Sequence, residues 1–140
     1  YFSFALSLQN NIYVKAHSEC DLITICNLDG SLKYNVYGPG WQNNKDNQTE
    51  YFTGVDVTKK HIIASYIGGP RIIIDEHKRK RGNYPTKLIV FDTEGNYIKT
   101  IETGHKFSDF CVDEENNRVI IWFSDIEKTL AYFNLNLDQL

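Results

Sequence analysis

A strand–turn–strand unit recurs along this chain, and any fold must accommodate every copy. The clearest copy is Leu88–Gly104, LIVFDTEGNYIKTIETG. Its apolar run Leu88-Ile89-Val90-Phe91 meets an Asp-x-x-Gly turn at Asp92–Gly95. In the second run Tyr97, Lys99 and Ile101 share one face and Ile98, Thr100 and Glu102 the other. β-Branched and aromatic residues on both arms, with glycine supplying a positive φ in a short loop, predict a β-hairpin. The unit occurs earlier as Ile23–Val36, ITICNLDGSLKYNV, and incompletely as Leu130–Leu137.

Strand-like segments fill most of the remaining chain: Phe2–Leu8, Asn11–Ala16, Tyr51–Val57, Ile62–Tyr66, Phe107–Asp113, Arg118–Phe123 and Thr129–Leu135. The turns between segments, such as Gln9–Asn11, Thr58–Lys60 and Glu114–Asn117, are rich in Asn, Asp, Lys and Gly. Helical periodicity is confined to short polar pieces such as Asp125–Thr129. The chain reads as all-β, built of antiparallel hairpins.

The spacing of the copies tests the repeat. Leu88 and Leu130 lie 42 residues apart, whereas Ile23 and Leu88 lie 65 apart, an excess of 23. Aligning YFTGVDV with KFSDFCV puts Phe52 and Phe107 55 residues apart and assigns 13 of that excess to the middle unit. The connector before the middle unit supplies the other 10. A four-stranded unit of about 42 residues is the period of a propeller blade. Two insertions, 41–50 and 69–85, account for the departures. Blade one is then 2–37, blade two 51–102 and blade three 107–137, the last lacking its outer strand. Propellers run to about 4–8 blades, so a larger ring is expected, closed by a strand paired into the last blade.

The stretches FSDFCVDEENNRVIIWFSD, LIVFDTEGNYIKTIE and Ser65–Gly69 resemble the TolB-like six-bladed propellers of bacterial envelope proteins, and more distantly the NHL-type propellers. The resemblance covers nearly the whole chain. It implies an exported, often lipid-anchored, non-enzymatic propeller, and no catalytic residue carries over. The 140 residues then correspond to the C-terminal half of a six-bladed ring. The other half is expected either in the same chain or in a second copy. The missing initiator methionine fits a processed or truncated start.

Composition narrows the function. Hydrophobic residues make up 41% and aromatics 14%, enough for a core. A net charge of −3 does not suggest a nucleic-acid partner, and no apolar run approaches the roughly 18 residues of a spanning helix. Cys20, Cys26 and Cys111 are odd in number and lack metal-ligand spacing. Cys26 and Cys111 sit in apolar strand patterns and are expected to be buried free thiols.

Strand direction places both insertions at the same end of the sheets, the end where scaffolded loops most often bind. Trp41, Arg71, His77, Arg79, Arg81, Tyr84 and His105 are the candidate binding residues there, with His17 nearby; His61 is expected at the opposite end. Trp41, after Gly38-Pro39-Gly40, is either an exposed aromatic for carbohydrate or peptide or a cover over the blade edge. Lys78-Arg79-Lys80-Arg81 reads either as a grip for an acidic partner or as a solvated hairpin tip balanced by Asp75 and Glu76. His17, His77 and His105 would make a metal site only if three separate loops converged. Asp113-Glu114-Glu115 reads as turn-forming. Asp109, at the start of an innermost strand, is the weak metal candidate. No Ser-His-Asp or Cys-His arrangement, P-loop or dinucleotide fingerprint is present, and no cofactor is expected. The leading expectation is a non-enzymatic binding or scaffold propeller with a protein or glycan partner. The alternative is a lactonase- or hydrolase-type propeller with a divalent metal in its channel.

Overall fold

The computed structural model describes residues 2–41, 47–124 and 129–140. Among them the chain is all-β. Sheet one runs in chain order through β1 (Phe2–Ser7), β2 (Ile12–His17), β3 (Leu22–Asn27) and β4 (Leu32–Tyr37). Sheet two contains β5 (Thr49–Val57) and β6 (His61–Pro70), then β9 (Lys87–Asp92) and β10 (Tyr97–Glu102). Between β6 and β9 the chain makes a separate two-stranded ribbon, β7 (Ile72–Ile74) with β8 (Lys80–Gly82). Sheet three has three strands, β11 (Asp109–Asp113), β12 (Arg118–Trp122) and β13 (Leu130–Asn134), followed by a 3₁₀ turn at Leu137–Gln139. All pairings are antiparallel. No helix among the described residues is long and apolar enough to cross a membrane.

The turns explain the hairpins. In β9–β10, the Asp92 carboxylate accepts from the Glu94 and Asn96 amides at 2.9 Å, and Gly95 takes φ 86°. The β3–β4 turn repeats this with Asp29 accepting from Ser31 and Gly30 at φ 91°. The short acidic side chain substitutes for a backbone acceptor, and glycine tolerates the left-handed step. Asp113 holds its turn through Asn116 and Arg118, as a turn former should.

The three sheets stack face to face. Ile12, Val14, Ile23 and Ile25 of sheet one meet Phe52, Ile62, Ala64 and Phe91 of sheet two. The opposite side of sheet two, Ile63, Leu88 and Val90, meets Phe110, Val119 and Ile121 of sheet three, with Phe107 and Leu135 closing the second core. Sheet two is therefore covered on both faces. That is why neighbours of opposite facing, Ile62 with Ile63 and Val90 with Phe91, are all buried, and why β6 and β9 read as continuous apolar runs. The first strand β5 lies against both β1 and β11.

The pairing preserves the repeat. Ile23, Leu88 and Leu130 occupy the same position in the third strand of their sheets, as do Cys26, Phe91 and Phe133. Gly54 and Asp109, and likewise Asp56 and Cys111, match in the first strands of sheets two and three. One expectation fails. Cys26 is buried, but Cys111 is exposed, because it lies on the face of sheet three turned away from the second core. The polar piece 125–128 and the part of the first insertion at 42–46 lie outside the described residues.

Candidate functional site at the loop-bearing end

Antiparallel pairing sends the β2–β3 turn, the segment after β4, the β6–β9 excursion and the segment after β10 to one end of the stack. These loops bond to one another. The Tyr51 amide donates to Ser18 O and the Gly38 amide to Asp21 O, both at 2.9 Å; Arg71 N donates to Gln48 O at 2.7 Å. Phe107 N donates to Pro85 O at 3.0 Å, and Lys106 Nζ to Asn83 Oδ1 at 3.0 Å. His61, in contrast, is buried at the opposite end, at the start of β6.

The centre of this end is a carboxylate that sequence reading passed over. Asp21 is buried in the β2–β3 turn. Its Oδ2 accepts from the Gly40 amide at 2.7 Å and from the Tyr66 hydroxyl at 3.2 Å. A side chain at Gly38 would fall onto the same carboxylate, so the connector can lie this close only as glycine. Burial pushes the Asp21 carboxyl above its ordinary range, against the hydrogen bonds from Gly40 and Tyr66. Burial, and then the Asp21 charge, push the Tyr66 phenol well above its ordinary range, so Tyr66 stays a donor. Beside this pair opens a mostly apolar cleft of about 460 Å³ between sheets one and two. It runs along the sheets from that end: Tyr37, Phe52 and Lys87 line its near part, and Phe91 and Tyr97 its far part, toward the β9–β10 turn.

Trp41 stands next to the cleft, partly exposed, edge-on to Tyr37 with ring centroids 4.8 Å apart. Arg71 begins the ribbon; its Nε is buried without a hydrogen-bond partner among the described residues. Arg79 and Arg81 both direct Nε to Asp75 Oδ2, at 3.1 and 3.2 Å. The Arg79 backbone amide is the first reason that the Asp75 carboxyl lies below its ordinary range. Within the basic run, Arg79 and Arg81 are thus paired with the ribbon's own Asp75. His77 at that tip lies 3.5 Å from Glu76. Arg81 and Tyr84 face a second hollow of about 680 Å³ with Lys106, Phe107 and Phe123. His105 borders a third, of about 340 Å³, with Ile101, Tyr132 and Phe133.

The candidate residues therefore share one end without forming one site. Trp41 packs on Tyr37 at the margin of the Asp21 cleft without lining it, Arg81 and Tyr84 belong to the ribbon hollow, and His105 to a separate one. His17 Nε2 lies 3.1 Å from Thr24 Oγ1, within its own sheet. Among the described residues no three His, Cys, Asp or Glu side chains are grouped to hold a metal. Asp109 is exposed, and its Oδ1 accepts from the adjacent Phe110 amide at 2.8 Å. Asp56, on the preceding sheet, instead reaches across to the Val112 amide.

Neither the protein-family models nor the curated proteins compared with this chain match it.

Proposed function

We propose that this chain is a non-enzymatic binding module of the bacterial cell envelope. In this reading the stacked sheets are an arc of a six-bladed, TolB-like propeller, and the loop-bearing end receives a protein or glycan partner. The observation that carries the reading is the contrast between the two ends. One is a set of cross-bonded loops around the buried Asp21 and the ribbon hollow. The other is made of short turns that bond to one another: Asn10 Nδ2 donates to Thr58 O, and Lys59 N to Glu114 Oε1. Aromatic rings beside fixed polar groups suit sugar and peptide ligands, and a rigid scaffold with decorated loops is how such sites are commonly built.

The test is position-specific photo-cross-linking in cells that make the protein. A photoreactive residue at Tyr84 or Trp41 should give discrete adducts, while the same residue at Asn116, in the β11–β12 turn, should give none. Adducts at Asn116 alone would place the binding surface at the wrong end.

A further inference from the structure

The two outer sheets each leave one face bare, and the repeat shows what those faces are built to touch. Along β3 and β9, Ile23 and Ile25, and then Leu88 and Val90, are 0–1% exposed because the next sheet covers them. Pairing places Leu130 and Tyr132 of β13 at the same two positions. They remain apolar but are 64% and 61% exposed. Trp122 and Cys111 lie on that same face of sheet three.

Sheet one shows the converse. The rows that sheets two and three turn toward their predecessor contain Val55 and Val57, then Phe110 and Val112. Their equivalents in β1 are Phe4 and Leu6, both exposed. One chain thus carries a bare leading face and a bare trailing face of a stacking pattern that it satisfies twice internally.

We infer that the bare face of sheet three docks on the bare face of sheet one of a second copy, head to tail. The contact continues the packing rule of the two internal cores. Contiguous apolar faces of this kind are typical of association surfaces. Two copies closing a ring would make two equivalent contacts; if the rotation does not close, the same contact extends into an open chain. The inference needs only the stacking and does not depend on the proposed ligand end.

The internal contact predicts the atoms that meet. Asp56 Oδ2 accepts from the Val112 amide of the next sheet at 2.8 Å. Cys111 is the counterpart of Asp56, and Leu6 is the counterpart of Val112. Cys111 of one copy therefore lies over Leu6 of the other.

The experiment pairs light scattering with a thiol trap on this 140-residue chain. The expected mass is at least twice 16.2 kDa, falling to the single-chain value on dilution and in the Leu130→Asp, Tyr132→Asp double variant. With diamide as oxidant, Leu6→Cys should form an intermolecular disulfide to Cys111, identified by peptide mapping. Gln9→Cys, in the adjoining turn, should not. A chain that stays single at all concentrations overturns the inference. So does association in which Leu6→Cys never links to Cys111. Because the trap uses the intact exposed face, it decides the question even if the double variant fails to fold.

Discussion

Asp56 and Val112, 56 residues apart, join two sheets through one hydrogen bond: the β5 carboxylate accepts from the β11 backbone amide at 2.8 Å. The same side chain also accepts from the Val57 amide at 2.9 Å. Backbone amides along a sheet normally bond within it, so this link fixes how β11 lies against β5. A hydrogen bond to a charged group contributes about 1.5–3 kcal/mol when its partner would otherwise be left unpaired. Asp56→Ala should therefore cost about 1–3 kcal/mol in urea unfolding, whereas Asp109→Ala, whose carboxylate is exposed, should cost less than about 0.5 kcal/mol. Equal midpoints for the two variants would mean that Asp56 does not hold the sheets.

Phe91 tests the first core. It is buried against sheet one, edge-on to Tyr97 with centroids 6.4 Å apart. Phe91→Ala should lower stability by about 3–5 kcal/mol, the usual cost of removing a large core aromatic. An unchanged denaturant midpoint would put Phe91 in solvent and shift the register by one residue, since facing alternates along a strand.

Much of this architecture was legible in the sequence because hairpin turns and strand facing are local. The 65- and 42-residue offsets between Cys26, Phe91 and Phe133 follow from turn chemistry and alternation, and the pairing reproduces them. Cys111 was misread because its alternation is that of a covered strand, and no local pattern tells which sheet is outermost. Asp21 and Tyr66 were missed for a different reason. Their contact joins residues 45 apart in sequence, and Asp21 sits in a polar turn, Ser18–Asp21, that looks solvated. The sequence signal was the Gly-Pro-Gly connector, whose Gly38 leaves room for the carboxylate. For Arg79 and Arg81 the sequence offered both a basic patch and its neutralising Asp75, and the structure pairs them.

Asp21 should tilt the pH dependence of stability. Its folded-state carboxyl titrates above the ordinary 3.8, so the folded protein holds that proton more tightly than the unfolded chain. The contribution is most favourable below the ordinary value, and it is lost as pH rises through the raised one. Asp21→Asn removes the titration, so the mutant-minus-native stability difference should shift in the mutant's favour between pH 4 and pH 7. Asp21→Ala, which strips Gly40 and Tyr66 of their acceptor, should destabilise by about 1–3 kcal/mol at neutral pH. A stability difference for Asp21→Asn that stays flat across that range would show that the carboxyl is not perturbed.

His61 contributes in the opposite sense. Burial, and then the Lys60 charge, hold its imidazole below the ordinary 6.5. Its contribution is complete above 6.5 and declines as pH falls through the lowered folded-state value. Following the His61 ring protons by NMR through this range checks the direction; a midpoint above 6.5 would reverse the assignment.

The claim that an independent sheet stack carries a binding end is tested most directly by removing the ribbon. Residues Arg71–Tyr84 are replaced by Gly-Asn, and the variant is followed by far-ultraviolet circular dichroism and by photo-cross-linking from the Trp41 position. The account predicts an unchanged β spectrum and cooperative unfolding, with the adducts lost or strongly reduced. Loss of the β spectrum would make the ribbon part of the core, and adducts undiminished on a folded variant would remove it from the binding surface; either result contradicts the account.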